Sequence, residues 1–157
     1  MPTQANHYEA ALQLADEGQY QQAYDSIALH LEQAPDDGEV LNDTGVILHC
    51  LNRSRESIAH LTRAREISGD KPDIIWNLVE AYLTEANIEA VKPLLQLMEA
   101  NGTISFDVLN RAANILLNEE RLSEAKELLE WSFRLCPEQE ILEPMLTIIE
   151  SKIQQPS

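Results

Sequence analysis

Shifted by 34 residues, the sequence falls on itself in a way that leaves few folds open. Small residues line up as Ala11, Gly45, Val79 and Ala113, and again as Ala23, Ser57, Val91 and Ala125. Larger apolar residues line up as Ile27, Leu61, Leu95 and Leu129, and as Leu14, Leu48, Tyr82 and Leu116. A fixed period of this kind marks one supersecondary unit recurring along a chain. Helices approach closely only where side chains are small, so the small columns mark crossings and the large ones fill the space beside them. The clearest copy is 106–137. At 3.6 residues per turn, Leu109, Ala112, Ala113 and Leu116 share one face, Leu122, Ala125, Leu128 and Leu129 share another, and a polar turn at 118–121 separates them. Neither short helix buries its stripe alone, so the pair requires neighbours of the same shape.

The run Leu109, Ala112, Ala113, Leu116, Ala125, Leu129, Pro137 resembles the tetratricopeptide repeat, which carries large, Leu, Gly, aromatic, Ala, aromatic and Pro residues at these offsets. The resemblance covers roughly 4–137. It implies an all-α fold, a right-handed α-solenoid of four helix-turn-helix repeats at 4–37, 38–71, 72–105 and 106–137. A capping helix follows at 138–153, all within one domain, 1–157. Departures are visible: His7 stands at the bulky opening position of the first copy, and His30 and Met98 stand where Ala64 is small. Only the first and last copies close with proline.

Local signals place the helices. The first pair reads 5–17 and 21–33, punctuated by Gly18, with Tyr20 and Tyr24 adding bulk to the junction. The second reads 38–51 and 54–67, with Asp36 and Asp37 placed to cap the first helix and Ser54 the second. Pro72 suits the first turn of a helix over 72–85. Pro93 lacks a donor and crowds the preceding turn, so the next segment, 89–100, is expected to start late or kink before Asn101 and Gly102 stop it. Ser105 caps the fourth pair. The last helix, 138–153, gathers Ile141, Leu142, Met145, Ile148 and Ile149 on one face, with Pro144 in its first two turns. It is the candidate lid with a polar outer side.

Composition narrows the partners. The chain has 157 residues, 44% hydrophobic, enough for one domain, and a net charge of −16. Such acidity repels phosphate backbones and anionic membrane surfaces, which argues against nucleic acid and lipid. The first basic residues are Arg53, Arg55, Arg63 and Arg65; as a patch they could hold an anion, and the favoured reading is a solvated outer face whose charges offset neighbouring acids. Cys50 and Cys136 match no metal or redox spacing and read as reduced thiols. No window reaches the ~18 apolar residues of a membrane helix, and MPTQANHYEA has no charged n-region or apolar h-region, so cytoplasmic residence is the expectation.

Little points to catalysis. His7, His30, His49 and His60 contain no pair at metal-ligand spacing, and no glycine-rich phosphate loop occurs. His49 and Cys50 are adjacent, but neighbours on a helix point about 100° apart and do not meet. The reading is therefore no enzyme, no cofactor and no metal.

The second face of each first helix is more informative. With Ile75, Leu78, Val79 and Tyr82 directed to packing, Asp73, Trp76, Asn77, Glu80 and Thr84 form another stripe. Its counterparts carry Tyr8, Glu9 and Leu12; Glu39, Asn42, Asp43, Val46 and His49; and Asp107, Asn110, Arg111, Asn114 and Leu117. The tetratricopeptide resemblance implies that these helices line a concave groove that receives a peptide. Asn42, Asn77, Asn110 and Asn114 offer donor and acceptor to a backbone, and Trp76 and Tyr8 offer flat apolar area with a polar edge. Six acids, Glu9, Glu39, Asp43, Asp73, Glu80 and Asp107, stand against Arg111, so a basic ligand is preferred. The blander alternatives are a Trp76 packed into the next repeat and acids that are only solvated surface.

Three functions follow from the resemblance. The favoured one is a non-catalytic adaptor or scaffold gripping a protein segment, with homo-oligomerisation left open. The branch that grips the acidic tails of heat-shock chaperones uses lysine, arginine and asparagine where this chain has Tyr8, Leu12, Asp43, Asp73 and Asn77, so that carboxylate clamp is absent. The second is a small acidic chaperone resembling those of type III secretion translocators. Those carry an extra N-terminal helical stretch, whereas the first repeat here begins within a few residues of Met1. The third is a regulatory repeat region of an enzyme complex.

Overall fold

A computed structural model describes residues 4–155; the ends of the expected 1–157 domain, residues 1–3 and 156–157, lie outside the described residues. The elements are α1 (Gln4–Asp16), α2 (Tyr20–Gln33), α3 (Gly38–Cys50), α4 (Ser54–Ser68), α5 (Pro72–Thr84), α6 (Ile88–Ala100), α7 (Phe106–Asn118), α8 (Leu122–Leu135) and α9 (Leu142–Gln154). The period is kept in the backbone. Helices begin at Gln4, Gly38, Pro72 and Phe106, and at Tyr20, Ser54, Ile88 and Leu122, each 34 residues after the last.

The turns keep the same register. Gly18, Asn52, Ala86 and Glu120, again 34 apart, all have left-handed backbone, with φ of 77°, 59°, 52° and 59°. After α1, α3 and α7 the following amide reaches back five residues, Gln19 to Leu14, Arg53 to Leu48 and Arg121 to Leu116, at 2.8–2.9 Å. That bond satisfies a helix-end carbonyl and closes a Schellman turn. Glycine meets this conformation without strain only at Gly18; Ala86 and Glu120 hold it against their Cβ atoms.

The chain divides into two compact units, one ending at Glu85 and the next beginning at Ala86. In the first unit α1 packs on α2 and α3 on α4, while α5 lies against α4 and α3. Ala11, Ala23, Ile27, Val40 and Ile47 form a buried cluster, flanked by Tyr8, Leu14, Tyr20 and Tyr24. The small columns sit at crossings as expected: the Ser57 hydroxyl donates to the Gly45 carbonyl at 2.6 Å, and a Cβ on Gly45 would lie 2.5 Å from Leu61 Cγ. Asp37 caps α3, accepting from the Val40 amide at 3.2 Å. Ser54 does not cap α4. It is the first helical residue and buried, Arg53 holds the cap position, and no side chain bonds there.

In the second unit α7 packs on α8, α6 on α7 and α9 on α8. Met98, Leu109, Ala113, Leu116, Ala125 and Leu129 are buried. Ser105 caps α7 at 3.4 Å from the Val108 amide, and Gly102, at φ 70°, follows the end of α6 at Asn101. The expectation of a late start before Pro93 is corrected: α6 begins in register at Ile88, is capped by the Asn87 side chain, and runs through Pro93. Arg121 ties the second unit's α6 and α8, pairing with Glu89 at 2.5 Å and Glu124 at 2.6 Å, while Lys92 pairs closely with Glu124. The Arg121 and Lys92 contacts hold the Glu124 carboxyl down to about 2.

The last helix also differs from expectation. It begins at Leu142, four residues after 138, because that start places Pro144 in the first turn, where no donor is needed; a start at 138 would put it in the helix interior. Leu142 and Ile149 are buried, while Ile148, though exposed, borders a recess with Leu117 and Leu122, so the apolar side of α9 is only partly covered.

Candidate peptide-interaction surface

Eight of the ten sequence-nominated residues lie in the first unit, on α1, α3 and α5. The apolar stripes of α3 and α5 face the core through Val40, Leu41, Ile47 and Leu48, and through Ile74, Ile75, Leu78 and Val79. At 3.6 residues per turn this leaves Glu39, Asp43, Val46 and His49, and Asp73, Trp76, Asn77 and Glu80, on another side of their helices.

Side-chain hydrogen bonds join these stripes from helix to helix. The Tyr8 hydroxyl donates to the Asp43 carboxylate. Asn77 Nδ2 donates to Asn42 Oδ1 at 3.0 Å, and Asn42 Nδ2 donates to Asp73 Oδ2 at 3.3 Å. His49 Nε2 lies 3.0 Å from Thr84 Oγ1, whose hydroxyl donates to the Glu80 carbonyl at 3.0 Å. Tyr8–Asp43, Asn42–Asn77 and His49–Thr84 each span 35 residues, one period plus one position. The signal was therefore present in the sequence as polar pairs one step off the repeat.

The pairing changes the roles assigned to the asparagines. Asn42 is 6% exposed, and both ends of its amide are satisfied within the unit, so it does not offer donor and acceptor to a ligand. Asn110, in the second unit, accepts from the Ser132 hydroxyl at 2.6 Å and donates to Gln139 at 2.7 Å. It holds the connection between α8 and α9 through Gln139, which also donates to the Cys136 carbonyl. Asn114 is exposed on α7. Tyr8 is half-buried, its ring centroid 5.5 Å from that of His30. Asp73, Glu39 and Trp76 are exposed, and Asp43, Asn77 and Glu80 are half-buried.

The local field is negative. Burial raises the Asp43 carboxyl above its ordinary value; the Tyr8 hydrogen bond opposes this, and the charges of Glu39, Asp73 and Asp37 add to the rise. Burial also raises the Tyr8 hydroxyl, helped by its bond to Asp43 and by the charges of Asp43, Glu39 and Asp37. A cation placed here relieves repulsion between carboxylates. Lys71 borders a recess that it shares with Glu39, Asn42 and Asp73. The arginines of α4 and its cap are engaged elsewhere. Arg53 meets Glu56 at 2.6 Å and lies 4.6 Å over the Tyr24 ring, Arg55 meets Glu85 at 3.2 Å, Arg63 meets Asp36 at 2.6 Å and Arg65 meets Asp70 at 2.5 Å. These are surface pairs, which fits the solvated outer face expected of them.

A recess of about 250 Å³ opens between α3 and α5, bordered by Val46, His49, Trp76 and Glu80 above a floor of Gly45, Ser57 and Leu61. Among the described residues no group of three His, Cys, Asp or Glu side chains is arranged to hold a metal. Cys50 is exposed and Cys136 half-buried, both as free thiols.

No protein-family profile and no curated protein matches the sequence at a significant level. Solved structures do match. MamA AMB-1 is similar over 96% of this chain and 82% of its own, at 20% identity and a TM-score of 0.78. A second MamA structure covers 94% of this chain and 81% of its own, at 14% identity and a TM-score of 0.78. YrrB, described as a TPR protein with an unusual peptide-binding site, covers 96% of this chain and 75% of its own, at 17% identity and a TM-score of 0.76. The fold is that of the tetratricopeptide-repeat α-solenoids. At these identities the likeness carries the architecture alone.

Proposed function

We propose that the chain is a non-catalytic adaptor or scaffold, and that the α1, α3 and α5 side of its first unit binds a protein segment of basic character. The observation that carries this reading is an exposed tryptophan, Trp76, on the same stripes as Glu39, Asp43, Asp73 and Glu80, where burial together with the charges of Glu39 and Asp73 raises the Asp43 carboxyl. Aromatic anchors with a polar edge are the usual centre of a polypeptide contact, and the surrounding charge selects against acidic partners. YrrB's peptide-binding site shows that a protein of this fold takes peptides.

In this reading Tyr8, Asn42 and Asn77 set the geometry of the face, and Glu39, Asp43, Asp73, Trp76 and Glu80 meet the ligand. On the second unit, Asn114 on α7 is the exposed member of the set and Asn110 a supporting one. The division into repeats 4–37, 38–71, 72–105 and 106–137, with the cap after them, is part of the proposal and is supported by helix starts spaced by 34 residues. With a net charge of −16, partners among nucleic acids and anionic membranes are disfavoured. No described helix is long and apolar enough to cross a membrane, and cytoplasmic residence is part of the proposal.

Panning a random-peptide library on the immobilised chain tests it. The wild type should enrich lysine- and arginine-containing peptides, and a Glu39→Lys/Asp73→Lys variant should lose them. Enrichment of acidic or purely apolar peptides, or the same peptides on both proteins, would refute it.

A further inference from the structure

We propose that α9 is a self-association surface, pairing antiparallel with α9 of a second copy of this chain about a two-fold axis. Ile141, Met145, Ile148 and Lys152 recur at spacings of four, three and four, which places them on one stripe of the helix. Ile141 precedes α9 but already has helical backbone, φ −78° and ψ −22°, so it continues the stripe. The stripe stands beside the side that Leu142 and Ile149 bury. Ile141 is 67% exposed and Ile148 56%, the most open of the large apolar residues described. Leu117 and Leu122, from α7 and α8, border the recess along it. An open apolar stripe at this spacing is a surface onto which another helix packs.

The charges select which helix. Lys152 closes the stripe at its C-terminal end, and Glu138 and Glu140 stand exposed in the turn before its N-terminal end. Among the described residues none of these three has an ion-pair partner, whereas Glu150, on another side of α9, pairs with Lys126 of α8 at 3.2 Å. An antiparallel two-fold sets Met145 of each copy against Ile148 of the other, and Lys152 of each beside Glu138 and Glu140 of the other. A parallel pairing would stack lysine on lysine and acid on acid. The net charge of −16 opposes contact between two copies elsewhere, so a surface that meets its own opposite charge by symmetry is the one that holds. A helix of an unrelated protein would need the apolar spacing and both charges in reverse order; a second copy has them. At 1.5 Å per residue the stripe is about 16 Å long, small for an interface, so the dimer is a micromolar one.

The test is sedimentation equilibrium of the full chain from about 5 to about 500 μM, a range that brackets a micromolar Kd. The wild type should rise from 17.7 kDa toward twice that mass as concentration increases. Ile148→Glu, at a position too exposed to be needed for folding, should stay at the monomer mass with unchanged far-UV circular dichroism. Lys152→Glu should raise Kd about tenfold, because both symmetric pairs turn repulsive, and adding Glu138→Lys and Glu140→Lys should return it to about the wild-type value. A wild type that stays at 17.7 kDa throughout, association unchanged in Ile148→Glu, or a triple charge variant that does not recover would overturn the proposal. So would a monomeric wild type whose library peptides are lost in Ile148→Glu, since the stripe would then belong to a foreign segment. The peptide face on α1, α3 and α5 stands or falls separately, on Glu39→Lys/Asp73→Lys.

Discussion

The crossing of α3 and α4 gives a substitution whose sign should depend on its neighbour. Gly45 lies inside α3, where alanine normally stabilises a helix by about 1 kcal/mol. Here the added Cβ would stand 2.5 Å from Leu61 Cγ and 2.7 Å from Leu61 Cδ2. Carbon atoms pack at about 3.5–4.0 Å, so Leu61 would have to retreat by about 1 Å. It is 1% exposed and held from all sides, and the Ser57 bond to the Gly45 carbonyl keeps the two backbones together. Overpacking of this kind costs about 2 kcal/mol, leaving Gly45→Ala destabilised by about 1 kcal/mol after the propensity gain. Leu61→Ala alone should cost about 2–5 kcal/mol. In that background the clashing atoms are gone, and Gly45→Ala should stabilise by about 1 kcal/mol, a coupling of about 2 kcal/mol. Urea unfolding of the four proteins, followed by far-UV circular dichroism with m-values compared, measures the cycle. A neutral or stabilising Gly45→Ala in the wild-type background, or no reversal in the Leu61→Ala background, would refute the close-crossing argument.

Three further outcomes can be checked together. Ala86 holds a left-handed φ of 52° and is exposed, so Ala86→Gly should stabilise by about 1 kcal/mol in urea unfolding; destabilisation would show that the turn is not strained. Tyr8→Phe removes the one cause that lowers the Asp43 carboxyl, so that carboxyl should titrate at higher pH by carbon NMR, with about 1 kcal/mol of lost stability; an unchanged titration contradicts the bond. Glu124 sits at about 2, below its ordinary 4.5, so its pairing stabilises the fold above about pH 4.5 and is lost as pH falls toward 2. Arg121→Gln should raise the Glu124 carboxyl toward its ordinary value and flatten that part of the stability–pH curve.

Much of the fold was legible because it depends on local chemistry. Asp37, Ser105, Asn101 and Gly102 mark helix ends wherever their neighbours lie, and Ala11, Gly45, Ala113 and Ala125 mark crossings through size alone. The misjudged boundaries are those where two local rules compete. Pro144 outweighs the apolar periodicity from 138 onward, and Ser54 is drawn into the helix and buried instead of standing before it. The site was less legible for a different reason. Asn42 occupies a stripe position that periodicity assigns to solvent, and only the arrival of Asn77 and Asp73 from α5 buries it. Likewise Asn110 is taken up by Ser132 and Gln139, which no single-helix pattern relates to it. The depth of the recess beside Trp76 depends on what lies under Gly45, a property of the packed pair and not of either helix.

The claim on which the function rests is best tested by mapping amide hydrogen exchange of the whole chain with and without a basic peptide recovered from the library selection. The account predicts added protection and local shifts on α1, α3 and α5, centred on Asp43, Asp73 and Trp76, with α2 and α4 unchanged. Protection confined to the outer arginine face of α4, or spread evenly with no centre, would contradict it.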